Sequence, residues 1–124
     1  MKFAFADPTN FLEFNIENIG EQVVYAVIKG KVDFVSFCRG VELLNFKNFC
    51  VDFVEAYERL NGEVKLFDYV GNRFYIKMTF DKMGYVIVNL SVSDDDEINK
   101  VELKFYIEQS FLNEFYEQIK SVCN

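Results

Sequence analysis

Apolar and polar side chains alternate along most of this chain, and the period changes at Asn45 and again after Glu108. From Phe11 to Glu17, Leu12, Phe14 and Ile16 alternate with Glu13, Asn15 and Glu17, predicting a strand with one apolar and one acidic face. Gln22 to Lys29 is apolar on both faces (Val23, Val24, Tyr25, Val27, Ile28), which suits an interior strand, and Gly30 then marks a bulge or turn. A further β-like run covers Val32 to Leu44, with a break expected at Arg39-Gly40. At Asn45 the spacing shifts to three and four: Phe46, Phe49, Cys50, Phe53, Val54, Tyr57 and Leu60 share one face, while Lys47, Asp52, Glu55 and Glu58 point elsewhere. That is an amphipathic helix, with Asn61-Gly62 as its left-handed stop.

A β-meander follows. Val64 to Tyr69 is a short strand and Gly71-Asn72 a turn. Between Arg73 and Asp81, Phe74, Ile76, Met78 and Phe80 share one face, and Tyr75, Lys77 and Thr79 the other. Asp81 to Gly84 is a hairpin loop with glycine placed for positive φ. Tyr85 to Ser93 turns Val86, Val88, Leu90 and Val92 inward; Asp94-Asp95-Asp96-Glu97 is an acidic loop; Val101 to Glu108 alternates again. A closing helix has Ser110 as its N-cap and Leu112, Phe115, Tyr116, Ile119, Val122 and Cys123 as its stripe. Every stripe finds a partner if residues 1–124 form one α+β domain, an antiparallel sheet of about five to seven strands with two amphipathic helices packed on one face. No internal repeat is visible in the sequence.

Composition sharpens the picture. The chain has 124 residues, 51% of them apolar, with fifteen Phe, seven Tyr and no Trp, so its core is strongly aromatic. Each buried ring contributes about 2–3 kcal/mol by leaving water. Thirteen basic and twenty acidic side chains give a formal charge of −7. Such a surface repels nucleic-acid phosphates and anionic headgroups, and it speeds encounter with basic partners. The apolar stretch before Pro8 is too short for a signal peptide and nothing approaches a membrane span, so a cytoplasmic location is expected. Cys38, Cys50 and Cys123 are odd in number and match no zinc spacing, which favours a reducing compartment.

Chemistry is thinly provided for. Histidine is absent, which removes the usual Ser-His and Cys-His nucleophile pairs and the commonest zinc ligand. Asp94 to Glu97 lacks the alternation, central glycine and distal glutamate of a calcium loop, and the glycines stand singly, without a phosphate-cradling motif. Cys50 and Cys123 sit on helix stripes as small apolar fillers. No catalytic residue, metal or cofactor is expected. Binding features are better supported. Tyr75, Tyr85 and Tyr106 fall on the outward face of the meander among Ile87, Lys77, Asn89, Glu102 and Lys104. Tyrosine offers apolar area, a hydrogen-bonding tip and few rotors, the qualities of an interface anchor, although such tyrosines also serve as plain cross-strand neighbours. The candidate contact set is those tyrosines, the loop Asp94, Asp95, Asp96 and Glu97, and Glu13 and Glu17 on the first strand.

From Phe53 onward the order of features resembles a known family. The helix end Phe53-Val54-Glu55-Ala56-Tyr57-Glu58-Arg59-Leu60-Asn61-Gly62 leads to a strand with Leu66, then Phe74 to Thr79, then the Gly84 hairpin into Val86-Ile87-Val88. The strand Val101 to Ile107 runs straight into Glu108-Gln109-Ser110-Phe111-Leu112, followed by Phe115. This looks like the WapI-type immunity proteins of bacterial polymorphic toxin systems, whose chains close with a strand, an Asp-Gln-Ser/Thr-x-Leu segment and a helix. The likeness spans roughly residues 43–122, and Glu108 stands where that pattern usually has Asp. It implies a non-catalytic protein that masks a cognate toxin domain, often a nuclease and so basic in its substrate groove, with Gln109-Ser110 fixing the strand-to-helix turn. The alternative is another cytosolic protein-binding or regulatory module.

Overall fold

A computed structural model describes residues 1–19, 22–69 and 73–123. The chain runs β1 (Lys2–Ala6), β2 (Asn10–Glu17), β3 (Val24–Val32), β4 (Val35–Leu43), α1 (Phe46–Arg59), β5 (Gly62–Phe67), β6 (Phe74–Phe80), β7 (Tyr85–Ser93), β8 (Lys100–Glu108), a 3-10 turn (Gln109–Leu112) and α2 (Asn113–Cys123). The α+β class, the antiparallel pairing and the two helices are as expected. Among the described residues the strands number eight rather than five to seven, and they form two four-stranded meanders, β1-β2-β3-β4 and β5-β6-β7-β8. Alternation reveals which side chains face inward but not which sheet they join.

Each sheet is followed by one helix, so a four-strands-plus-helix unit occurs twice. The helices cross over: α1 leaves β4 and packs along β5, α2 leaves β8 and packs along β1, and the helices touch each other. Phenylalanines lock this exchange. Phe115 of α2 meets Phe5 at 5.1 Å edge-on, Phe14 at 6.0 Å and Phe53 of α1 at 5.1 Å, while Phe53 meets Phe80 at 5.7 Å. Phe14 and Phe74 bring β2 and β6 together at 6.3 Å, within one continuous apolar core.

Local details differ from expectation for physical reasons. β1 is a full edge strand, its buried Phe3 and Phe5 alternating with Lys2, Ala4 and Ala6, where no strand was expected. β4 is continuous through Arg39-Gly40, and Gly30 lies inside β3 rather than in a turn. Both glycines clear space: a Cβ on Gly30 would sit 2.4 Å from the Phe37 ring, and one on Gly40 would sit 2.6 Å from the Tyr25 hydroxyl. The left-handed residue closing α1 is Leu60 (φ 53°), one turn position before the anticipated Asn61-Gly62. Ser110 lies within the 3-10 turn rather than capping α2. Gln109 does fix that corner, its backbone N–H donating to Gly84 O at 2.8 Å and its Nε2 to Tyr57 O at 3.0 Å. Gly84 has φ 88° in its hairpin, as anticipated. The expected Gly71-Asn72 turn lies outside the described residues.

Two side-chain amides close sheet edges. Asn45 donates from Nδ2 to Lys65 O at 3.0 Å and accepts from Phe67 N–H at 3.3 Å, imitating a strand beside β5. The end of β4 continues this pairing, through Leu43 opposite Asp68 and Tyr69 N–H donating to Glu42 O at 2.6 Å. On β1, Ala4 N–H donates to Gln118 Oε1 of α2 at 3.1 Å.

Candidate binding surface

The acidic loop is a built turn rather than a spray of free carboxylates. Asp94 accepts from Ile98 N–H at 2.9 Å, Asn99 N–H at 3.2 Å and Asn99 Nδ2 at 2.8 Å. The Asn99 amide and these backbone donors hold its carboxyl below the usual aspartate range. Asp95 is gripped by the guanidinium of Arg39 from β4 and by Arg73 Nη1 at 3.3 Å, and Arg39 foremost holds its carboxyl low as well. Arg73 in turn grips the buried Asp68 with Nε at 2.6 Å and Nη2 at 3.3 Å. The chain Asp68–Arg73–Asp95–Arg39 therefore ties the loop to the other sheet. Asp96 and Glu97 stay exposed, with Glu97 in the left-handed region at φ 57°.

Glu13 is also engaged. It is only 8% exposed, accepts from Asn15 Nδ2 at 2.7 Å and pairs with Lys2 Nζ at 3.1 Å. Burial alone would raise its carboxyl, but Lys2 and Asn15 outweigh burial and leave it lowered. Glu17, at the end of β2, is exposed. The structure thus separates Glu13 and Glu17, on the N-terminal sheet, from the tyrosines on the C-terminal one.

Those tyrosines share the outer face of β5–β8, opposite the face that buries Ile76, Met78, Val86 and Val88, with Tyr85 at its end beside Tyr57 of α1. Antiparallel register sets the face out in rows: Phe67, Tyr75, Ser91, Glu102; then Lys65, Lys77, Asn89, Lys104; then Glu63, Thr79, Ile87, Tyr106. Tyr85 stands at the far end opposite Glu108. Tyr106 is 59% exposed and Tyr85 43%, whereas Tyr75 is half-buried and walls an open depression of about 350 Å³ with Asn89, Ser91, Glu102 and Lys104. The lysine row was not legible from the sequence, because it exists only once the register of four strands is fixed. Lys65 lies directly opposite Lys77. Glu63 approaches Lys65 at 3.7 Å and Lys100 approaches Glu102 at 3.3 Å. Among the described residues no carboxylate lies within ion-pair distance of Lys77 or Lys104. Lys104 instead lies over the Tyr106 ring, 5.5 Å from its centre.

Cys38 is exposed on β4, and Cys50 is buried beside Cys123 between the helices, where burial pushes its thiol up to about 12. Among the described residues no group of three His, Cys, Asp or Glu side chains is placed to hold a metal ion, and no helix is long and apolar enough to cross a membrane. The outer face of β5–β8 thus presents tyrosine and lysine side chains side by side.

No family model matches this chain, and no curated protein matches it. Among solved structures it is similar to a chain from the crystal structures of Trypanosoma bruciei MRP1/MRP2, with a TM-score of 0.60 and 7% identity over 98% of this chain and 81% of that one. At that identity, what the two chains share is the fold.

Proposed function

We propose that this protein works by stoichiometric binding, masking a partner protein with the outer face of β5–β8, and that the partner is a toxin domain against which it confers immunity. The observation that carries the masking is the placement of Tyr75, Tyr85 and Tyr106 on one sheet face, opposite the face packed into the core. Rigid rings on a preformed surface lose little freedom on binding, so their contact area converts efficiently into slow release. The identity of the partner rests on the order of elements from Phe53 to Phe115, which resembles the WapI-type immunity proteins. A net charge of −7 suits that assignment, since a nuclease groove is basic and long-range attraction hastens capture.

Co-expression with the toxin domain encoded beside the gene tests the proposal. Cells carrying both should survive and yield an equimolar complex. Tyr75→Ala with Tyr106→Ala should weaken that complex by two to three orders of magnitude, since two anchors at roughly 2 kcal/mol each are lost. Undiminished killing in the presence of abundant native protein would refute masking.

A further inference from the structure

The outer face of β5–β8 carries a charge opposite to that of the molecule. Lys65, Lys77 and Lys104 occupy a single cross-strand row, with Lys65 and Lys77 directly opposed. Like charges placed opposite each other on a sheet destabilise it. Carboxylates are plentiful in this chain, twenty in all, yet Lys77 and Lys104 have none within ion-pair distance among the described residues. Glu102, the nearest candidate by row, is drawn to Lys100 instead. Lys77 and Lys104, the latter resting over the Tyr106 ring, stand on either side of Asn89, their backbones roughly 10 Å apart, two strand spacings. A depression walled by Tyr75, Asn89, Ser91, Glu102 and Lys104 adjoins this row at its Lys104 end.

We infer that this face receives a carboxylate-bearing, extended segment of the partner protein, laid across the row Lys77, Asn89 and Lys104 beside Tyr75 and held by the two lysines. The inference deepens the masking reading and rests on its choice of face. Net charge and local charge then have different tasks. The acidic molecule draws a basic partner from a distance, and the lysine row fixes the register once contact is made. The row bears on partner class as well. A nucleic-acid strand needs a continuous basic track, whereas here Glu63, Glu102 and Glu108 border the lysines on the same face and would repel successive phosphates. A mixed-sign rim around two unpaired lysines matches a polypeptide surface, which carries both signs.

The test uses the intact chain and a short oligoglutamate peptide, with oligothymidylate of equal charge as comparator, followed by amide chemical-shift mapping. Oligoglutamate should shift Tyr75, Ser91, Lys104 and the Asn89 side-chain amide, and added salt should weaken it. K77E with K104E should reduce its affinity roughly tenfold or more, while K47E with K82E, an equal change of charge at exposed sites off the face, should leave it within about twofold. Shifts confined elsewhere, equal losses in both variants, or tighter binding of oligothymidylate at this face would overturn the inference, the last by assigning the face to nucleic acid. The co-expression assay separates the two readings. If native protein protects and K77E with K104E protects equally well, the carboxylate seat is wrong and masking stands. If native protein fails to protect, masking itself falls, and the seat with it as a toxin contact.

Discussion

If the lysine row serves binding rather than folding, the fold should gain when it is broken. Lys77 faces Lys65 across one strand boundary and reaches Lys104 across Asn89 on the other side. Replacing it with glutamate removes a directly opposed like-charge pair and installs an opposite-charge pair in the same place. Each half of that exchange is worth a few tenths of a kcal/mol to 1 kcal/mol on a partly exposed sheet, so the sum is on the order of 1 kcal/mol. Unfolding entropy of about 2 cal/mol/K per residue converts this, for a chain of 124 residues, into a rise in Tm of about 4 °C. Lys77→Gln, which removes only the repulsion, should give about half. Thermal unfolding followed by circular dichroism at low salt measures both variants, and repetition in 1 M NaCl should shrink the gain, because screening there reaches about 3 Å. A Tm that stays level or falls, or a rise that ignores salt, would refute the view that these lysines strain the sheet.

Other expectations follow from the core and the glycines. Phe115→Ala empties the junction of Phe5, Phe14 and Phe53 and should cost about 4 kcal/mol by urea denaturation, while Phe34→Ala, at a residue 88% exposed, should stay within about 0.5 kcal/mol. Gly30→Ala should cost about 1–3 kcal/mol because its Cβ meets the Phe37 ring, and adding Phe37→Leu should recover part of that loss. Burial, with Cys123 nearby, raises the Cys50 thiol to about 12, so the folded state retains a proton that the unfolded chain releases above about pH 9. The stability this confers is complete below that point and should drain away as pH rises toward 12, at up to about 1.4 kcal/mol per pH unit. Comparing native protein with Cys50→Val by urea denaturation across this range isolates the contribution, and parallel curves would contradict it.

Much of this architecture can be read from alternation alone. Phe74, Ile76, Met78 and Phe80 on β6, and Val86, Val88, Leu90 and Val92 on β7, are buried as their period requires, and Tyr75, Tyr85 and Tyr106 face outward. The helix of residues 46–59 is equally plain, since its three-and-four spacing has no other solution. What escapes is whatever depends on neighbours distant in sequence. β1 is five residues long, too short for its Phe3–Phe5 alternation to stand out before Pro8. The duplicated strand-and-helix unit carries no sequence echo, because each half fills its core with a different set of rings. Asp94, Asp95 and Asp96 are identical letters, yet one builds a turn, one bridges two arginines and one faces water. Gly30 and Gly40 read as interruptions but are clearances for Phe37 and Tyr25, a role visible only when the partner strand is in place.

Asn45 carries a consequence beyond its own corner. Its carboxamide occupies two backbone sites, Lys65 O and Phe67 N–H, that another chain's strand could use to extend the C-terminal sheet past β5. One small polar group thus acts as a stopper against open-ended growth, a hazard that long regular strands share. Losing that stopper would do little harm inside a single molecule, but would leave a hydrogen-bonding vacancy repeated on every copy, and crowding would turn it into an invitation to self-association.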